Sequence, residues 1–361
     1  MKLRLTIIDW YIIKKFLGTY IFAILLIIAI AVMIDVNTNL DKFILHSTPL
    51  KSIVFDYYFN FVIYYMNTFS PLFVFIAVIF FTSKLADNSE IIAMQSSGMS
   101  LKRLMKPYMI SAAAITLLTF VLNSFVIPHG NKIRLDFQNK NFRNKQINYN
   151  DNIQIEVEPG LIAHFDYYSL ESKIGRGVSL ERFKDKELVS RLTAGSITYD
   201  SAYHWTINNY MIRDFVGMKQ MITVGDKLDT TLTIVPSDFM ISPYDAELLN
   251  TVALKTYIDR QKKRGIGNIQ SFEIEYHKRF AMTFAAFILT VIGASLSIRK
   301  IKGGMGMNLG LGLLLSFSYI LFIQISSTFA INGYMSAFVA VWIPNILYSG
   351  IAAYLYSKAP R

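Results

Sequence analysis

Long stretches without a charged residue are the feature that most constrains this chain of 361 residues. A helix that crosses the roughly 30 Å hydrocarbon core of a bilayer needs about 20 mostly apolar residues. Four stretches meet this requirement without an Asp, Glu, Lys or Arg: 16–34, 57–83, 108–128 and 280–298. A fifth charge-free stretch, 303–357, is too long for one crossing and has the turn signature Asn332-Gly333 near its middle, which predicts a hairpin of two helices. The sequence therefore predicts six membrane spans.

The distribution of basic residues in the short loops predicts the orientation of these spans. The net charge of +11 lies mostly in four places: before the first span, between the second and third, between the fourth and fifth, and in the tail. The residues concerned are Lys2, Arg4, Lys14 and Lys15, then Lys84, Lys102, Arg103 and Lys106, then Arg299, Lys300 and Lys302, and finally Lys358 and Arg361. Both termini are expected in the cytoplasm, with the polar domain on the opposite side. This charge pattern indicates topology and anionic lipid, with no nucleic-acid partner.

The polar stretch between the third and fourth spans has the pattern of β structure. Residues 152–157 alternate between apolar and polar, Pro159-Gly160 follows as a turn, and further short runs recur at roughly ten-residue spacing. This spacing predicts a sandwich or jelly roll. Residues 250–264 have helical spacing and end at Gly265, which predicts a helix near the return to the membrane.

The expected fold class is therefore a membrane protein of six transmembrane helices with an inserted all-β, jelly-roll-like domain. We predict a membrane half at 1–128, which begins with a short interfacial helix and includes a cytoplasmic helix at 87–98. The β domain follows at 129–249, a juxtamembrane helix and linker at 250–277, and a second membrane half at 278–361.

The motifs of catalysis are missing from the sequence. The five His residues are scattered, the chain has no Cys, and neither an HExxH motif nor a P-loop occurs. Glu156 and Glu158 fit a solvated strand face better than an acid–base pair. We therefore expect no catalytic residue, no metal and no cofactor. Gly306 and Gly310 form a G-x-x-x-G pattern, which suits close helix packing but also reflects the frequency of glycine in membrane helices.

The connection between the second and third spans has a pattern of its own. Asp87 to Ser89 can cap a short helix, and Gly98 can end it. Its apolar residues are Ile91, Ile92 and Met94, and its acidic residue is Glu90. Two interpretations remain open: a surface helix that rests on lipid headgroups, or a helix that docks in the groove of a partner protein.

Several motifs, taken in order and spacing, resemble the LptF/LptG (YjgP/YjgQ) family of lipopolysaccharide export permeases. They are Ser89 to Ser100 (SEIIAMQSSGMS), Val126 to Gly130 (VIPHG), Pro159 to Ala163 (PGLIA), Tyr203 to Trp205 (YHW) and Glu275 to Arg279 (EYHKR). The resemblance implies a permease subunit of an ABC-type exporter in the inner membrane of a Gram-negative bacterium. It implies four partners: lipopolysaccharide, a second permease of the family, a cytoplasmic LptB-like ATPase that binds the ATP, and periplasmic LptC/LptA-like bridge proteins.

The resemblance also suggests roles for residues. Residues 87–98 match the family's coupling helix, with Glu90 at the position of its acidic contact to the ATPase. Lys42 is the best match for a basic residue that meets lipid phosphate at the outer end of the first helix, whereas Asp35 departs from the family pattern there. Lipid is expected to enter between the first and fifth membrane spans, of this chain and its partner.

Two alternatives stay open on the periplasmic side. Ile155 and Phe165 would line an apolar groove for acyl chains, or they would belong to an ordinary filled core. The alternative function is that of a membrane-anchored periplasmic binding or scaffold protein without transport activity.

Overall fold

The chain divides into two compact units. The computed structural model describes residues 5–142, 151–169, 172–185, 187–217, 219–239, 243–263, 269–298 and 304–359. The helical unit comprises Met1–Arg143 and Glu273–Arg361, and the β unit comprises Asn144–Phe272. Some residues used above lie outside the described residues: Lys2, Arg4, Gly265, Arg299, Lys300, Lys302, Gly303 and Arg361.

The described residues contain twelve α-helices. In chain order they are α1 Ile7–Leu45, α2 Leu50–Ser52, α3 Phe59–Thr68, α4 Ser70–Asp87, α5 Glu90–Ser96, α6 Leu101–Val121, α7 Ile127–Asn141, α8 Pro243–Leu248, α9 Thr251–Lys263, α10 Gln270–Ser297, α11 Gly304–Ile331 and α12 Ala337–Lys358. Two π-helical segments, Ile53–Tyr58 and Leu122–Val126, precede α3 and α7. Six helical stretches are long and apolar enough to cross a membrane, in α1, α4, α6 with α7, α10, α11 and α12. The predicted number of spans is confirmed.

The first helix is much longer than the span predicted within it. α1 has 39 residues, a length of about 58 Å. It takes in the predicted interfacial helix, and it extends beyond the predicted span 16–34 through the polar stretch that holds Asp35 and Lys42. Side chains of this polar stretch bond back to the helix, because Thr38 donates to the Ile34 carbonyl at 2.9 Å and Asn39 to the Asp35 carbonyl at 3.1 Å.

The second predicted span is two helices in the structure. α3 ends at Thr68, and Phe69 has φ −93° and ψ 5° before α4 begins. Pro71 stands in the first turn of α4, where its missing N–H removes no intrahelical hydrogen bond. The hairpin between α11 and α12 is confirmed, with Gly333 at φ +79° in the turn.

The β unit is built on one antiparallel sheet of six strands. They are β1 Asp151–Glu158, β2 Leu161–Ser169, β3 Ile174–Lys184, β4 Glu187–Ser201, β5 His204–Val216 and β6 Lys219–Thr231. The inserted β domain is confirmed, and the strand order refines its description. Each strand pairs with its sequence neighbour in the order β1 to β6, as in a meander, whereas a jelly roll has Greek-key crossovers.

The core of the β unit lies on one face of this sheet. Phe239, from the short 3₁₀ helix Pro236–Phe239, stacks on Tyr168 with ring centroids 3.9 Å apart. The helix predicted at 250–264 is present as α9. α9 is held by the ion pair of Arg260 Nη2 with the buried Asp238 carboxylate at 3.1 Å.

Candidate functional site

The short helix α5 lies between α4 and α6 and is bounded by two residues with positive φ. Ser89 has φ 63° before the helix, and Gly98 has φ +89° after it. The helix spans Glu90–Ser96, so it is shorter than the predicted 87–98, whose first residue Asp87 ends α4. Gly98 takes the left-handed conformation expected of a helix stop. The predicted side-chain cap was wrong, because Ser89 makes no capping hydrogen bond with its side chain.

The two isoleucines of α5 face opposite environments. Ile91 is 1% exposed and belongs to the core of the helical unit, together with Ile12 and Phe16 of α1. Ile92 is 55% exposed. Met94 is half-buried and packs against the same core as Ile91. Of the three apolar residues predicted to contact a partner, Ile91 therefore lies in the chain's own core, and Ile92 is the one that α5 presents outward.

The carboxylate of Glu90 is held by two neighbours. Tyr11 of α1 donates its hydroxyl to Glu90 Oε2 at 2.9 Å, and Asn88 donates its side-chain amide to Oε1 at 3.3 Å. An ionised carboxylate has room for about four hydrogen bonds, so these contacts leave it able to accept more. Tyr11 was missed by sequence reasoning, since a contact between residues 79 positions apart leaves no local signal.

A second polar contact joins the start of α1 to the start of α6. The Arg103 guanidinium binds the Asp9 carboxylate through both of its terminal nitrogens, at 2.5 and 2.8 Å. Asp9 is the third residue of α1 and forms a capping box with Thr6, the residue before the helix. The Thr6 hydroxyl also accepts a hydrogen bond from Arg103 at 3.0 Å. Asp9 is only 1% exposed, so its charge depends on this bidentate partner.

The other end of α1 carries the residues predicted to contact lipid. Asp35 accepts hydrogen bonds from the hydroxyls of Tyr57 at 3.3 Å and Tyr58 at 3.1 Å. Lys42 is exposed, and its ammonium donates to Asn39 Oδ1 at 3.1 Å and lies 5.3 Å from the ring centroid of Phe142. Asp35 is thus hydrogen-bonded to two tyrosine hydroxyls, whereas the Lys42 side chain is exposed. Tyr57 and Tyr58 were not predicted.

An open apolar cavity of about 510 Å³ lies beside this end of α1. Its lining comes from α1, from α2 and from the π-helical segment that follows: Val36, Leu40, Phe43, Ile44, Ser47, Thr48, Leu50, Ile53, Val54 and Tyr58. Such a lining suits a hydrocarbon chain better than a polar group.

The predicted groove residues of the β unit lie in a filled core. Ile155 and Phe165 are both buried, and Phe165 packs edge-on against Phe239 with centroids 4.8 Å apart. Of the two alternatives left open for these residues, the structure agrees with the filled core. The alternation in β1 was correctly read as one buried face, but the chain's own Phe239 occupies the space over it.

The glycines predicted to pack helices do not do so within the described chain. A Cβ added at Gly306 or Gly310 would meet no heavy atom within 4 Å among the described residues. Close packing occurs instead at Gly312, where a Cβ would overlap the Ile79 side chain, and at Gly293, where it would lie 3.0 Å from Val78 Cγ1. The helices α11 and α10 therefore approach α4 at Gly312 and Gly293, outside the G-x-x-x-G pattern.

A family model described as lipopolysaccharide export system permease LptF/LptG matches residues 10–358 of this chain. The match covers nearly the whole chain, both units included. The chain belongs to the LptF/LptG family. A comparison with curated proteins gave no match.

Membership of the LptF/LptG family makes this chain a lipopolysaccharide export permease, a transport protein and not an enzyme. Six apolar helices agree with a multi-pass membrane protein. Among the residues that the structure describes, no group of three or more His, Asp or Glu side chains could hold a metal ion.

One motif of the family resemblance forms an ion pair inside the helical unit. In α10, Arg279 Nε lies 3.0 Å from Glu275 Oε1, one helical turn earlier. Arg279 is 1% exposed, so the pair keeps its charge compensated within an apolar helix.

Proposed function

We propose that this permease is one subunit of an ABC-type exporter, which extracts lipopolysaccharide from the inner membrane and passes it to a periplasmic bridge. A separate LptB-like ATPase in the cytoplasm binds and hydrolyses the ATP, so the chain itself needs no cofactor. The observation that carries this proposal is α5, a short helix between two membrane spans with an exposed isoleucine and an acidic residue at its start.

α5 has the features of a docking helix. Ile92 provides an apolar contact for a groove, and Glu90 keeps acceptor capacity for a basic residue of the ATPase. Buried apolar anchors carry most of the energy of such contacts, while an exposed charge pair at the rim contributes about 1 kcal/mol or less. We therefore assign the main contact to Ile92 and an orienting contact to Glu90.

Replacement of Ile92 by Asp tests this docking. Ile92→Asp should abolish co-purification of the ATPase and leave the permease folded, because the side chain is exposed in the chain alone. The matched control is Val252→Asp, which places the same charge on an exposed position of α9. Full retention of the ATPase by Ile92→Asp would contradict the proposal and favour a binding or scaffold protein that does not transport.

The proposed orientation has both termini in the cytoplasm and the β unit in the periplasm. It is supported by the convergence of basic residues at one end of the helical unit. The hydrogen bond from Tyr11 to Glu90 and the ion pair of Asp9 with Arg103 bring the start of α1 to the connection between α4 and α6. Lys14, Lys15, Lys84 and Lys102 lie on these same segments, as the cytoplasmic side requires.

Lipid contact is proposed at the opposite end of α1. Lys42 would attract an anionic headgroup, and the apolar cavity beside it would take an acyl chain. The second permease would pair along the exposed apolar faces of α1 and α11, where Gly306 and Gly310 leave room for close approach. The exposed residues on these faces include Phe22, Leu25, Leu26, Ile30, Leu314, Phe317, Leu321 and Ile325.

Transfer to the periplasmic bridge is proposed at β6. This strand is at one end of the described sheet and pairs only with β5 there. Met221, Ile222 and Val224 are each more than half exposed. An edge strand with exposed apolar side chains can accept a strand from a partner, which would continue the sheet into an LptC-like protein.

A further inference from the structure

Three contacts join the amino-terminal end of α1 to α5 and α6. We propose that α1 is the element that carries a movement of α5 through the helical unit, and that Tyr11, Asp9 and Arg103 are positioning residues that hold α1 to α5. The proposal rests on the docking of the ATPase at α5 described above, and it adds a route by which that docking reaches the far side of the unit.

The first contact is the hydrogen bond from Tyr11 to Glu90. Its acceptor is a carboxylate oxygen, a stronger acceptor than a neutral oxygen. Glu90 is also the first residue of α5, so a displacement of the helix pulls directly on the Tyr11 hydroxyl.

The second contact ties α1 to the helix that follows α5. Arg103 approaches the Asp9 carboxylate with two nitrogens, which fixes the angle between the groups as well as their distance. α5 is therefore bracketed, since α1 is bonded to its first residue and to α6 beyond its last.

The third contact is apolar. Ile91 of α5 shares one buried cluster with Ile12 and Phe16, which follow Tyr11 on α1 by one and five residues. α5 cannot shift relative to α1 without opening this cluster, so the three contacts make the start of α1 and α5 one mechanical body.

α1 is the one uninterrupted helix among the three amino-terminal spans. The second span is interrupted at Phe69, and the third contains Pro107 and the π-helical segment Leu122–Val126. Such features bend a helix or absorb its displacement. α1 runs without a break to the end that holds Asp35 and Lys42. A movement at α5 is thereby delivered to the end proposed to contact lipid.

The first test needs the permease alone, in lipid nanodiscs. The chain has no native cysteine, so spin labels on Cys introduced at Ile7 and Ser96, which are both exposed, report the distance between α1 and α5. Tyr11→Phe, which removes only the hydroxyl, should broaden the distance distribution. Tyr354→Phe, at an exposed tyrosine of α12, is the matched control and should not. A distribution as narrow as that of the wild type in Tyr11→Phe overturns the proposal.

The second test uses the complex with the ATPase and measures lipid transported per ATP hydrolysed. Tyr11→Phe should keep the ATPase bound and lower this ratio by about twofold to tenfold, the effect of losing one typical hydrogen bond. The double replacement Asp9→Asn with Arg103→Gln, which leaves no unpaired charge, should lower it in the same direction.

The two tests separate this proposal from the one on which it rests. An unchanged ratio in Tyr11→Phe overturns the role of α1, even where the ATPase binds normally. Absence of the ATPase from the wild-type complex overturns the proposed function, and the spin-label distances then decide whether α1 and α5 are one body.

Discussion

At the residue scale, one buried hydroxyl in the β unit has no hydrogen-bond partner among the described residues. Tyr168 is fully buried and packs between Phe239 and Trp205, yet its hydroxyl oxygen meets no donor or acceptor in the part of the chain that is described. Burial raises the pKa of this phenol, so it stays protonated across the neutral range. The Tyr168 ring therefore serves in packing, while its buried, unpaired hydroxyl lowers the stability of the β unit.

We predict that Tyr168→Phe stabilises the β unit. Removal of a buried, unpaired hydroxyl should raise the free energy of local opening by about 1 kcal/mol, at any pH near neutrality. Hydrogen exchange of the β2 amides in the intact protein measures this change. Tyr203→Phe, at an exposed tyrosine, serves as control. Faster exchange in Tyr168→Phe would show that the hydroxyl is bonded to something after all.

Residue identity alone did not reveal which side of α5 is buried. Ile91 and Ile92 are adjacent and chemically identical, and a helix of seven residues is too short to define an apolar stripe. Ile91 is the buried one of the two because it packs against Ile12 and Phe16, which belong to another helix. In the same way, the hydrogen bond from Tyr11 to Glu90 could not be predicted, because it depends on α1 reaching α5 in the fold.

At the element scale, one close helix contact lies at a glycine outside the G-x-x-x-G pattern. Gly312 of α11 faces Ile79 of α4, which is fully buried and has no room to withdraw. Gly310, two residues earlier, faces open space. A periodic motif in the sequence cannot tell which of two neighbouring glycine positions points at another helix of the same chain.

We predict that Gly312→Leu destabilises the isolated permease and that Gly310→Leu does not. Overpacking at α4 should cost about 1–3 kcal/mol, seen as a lower thermal unfolding temperature of the detergent-purified protein. The two variants add the same side chain to the same helix, so the comparison isolates the contact. Equal unfolding temperatures would contradict the packing of α11 on α4.

The existence of the membrane helices was predictable from the sequence, but their lengths were not. Charge-free stretches report the part of a helix that suits hydrocarbon, which is why residues 16–34 identified α1 but not its extension to Leu45. The extension rests on side chains such as Asn39 that bond to their own helix. In the β unit, alternation predicted the strands, while the filling of the core by Phe239 depended on a segment that returns after β6.

At the scale of the whole molecule, the two units have different proposed tasks. The helical unit would receive force at α5 and contact lipid at the far end of α1, and the β unit would deliver lipid to the bridge at β6. The family match spans both units, in keeping with a function that needs them together.

We predict that a photocrosslinker at Val224 captures the bridge protein in cells, because this side chain is exposed on the edge strand β6. A crosslinker at Tyr203, in the turn between β4 and β5, is the comparison and should capture much less. Equal capture at both positions would contradict a specific edge contact.

The central claim, ATP-driven export by this permease, is tested most directly by reconstitution. Proteoliposomes would contain lipopolysaccharide, this chain, the second permease and the ATPase, and transfer of lipopolysaccharide to a soluble bridge protein would be measured with and without ATP. We expect transfer that requires ATP, disappears with Ile92→Asp and persists with Val252→Asp. Transfer that proceeds equally without ATP, or fails while the bound ATPase hydrolyses ATP normally, would contradict this claim.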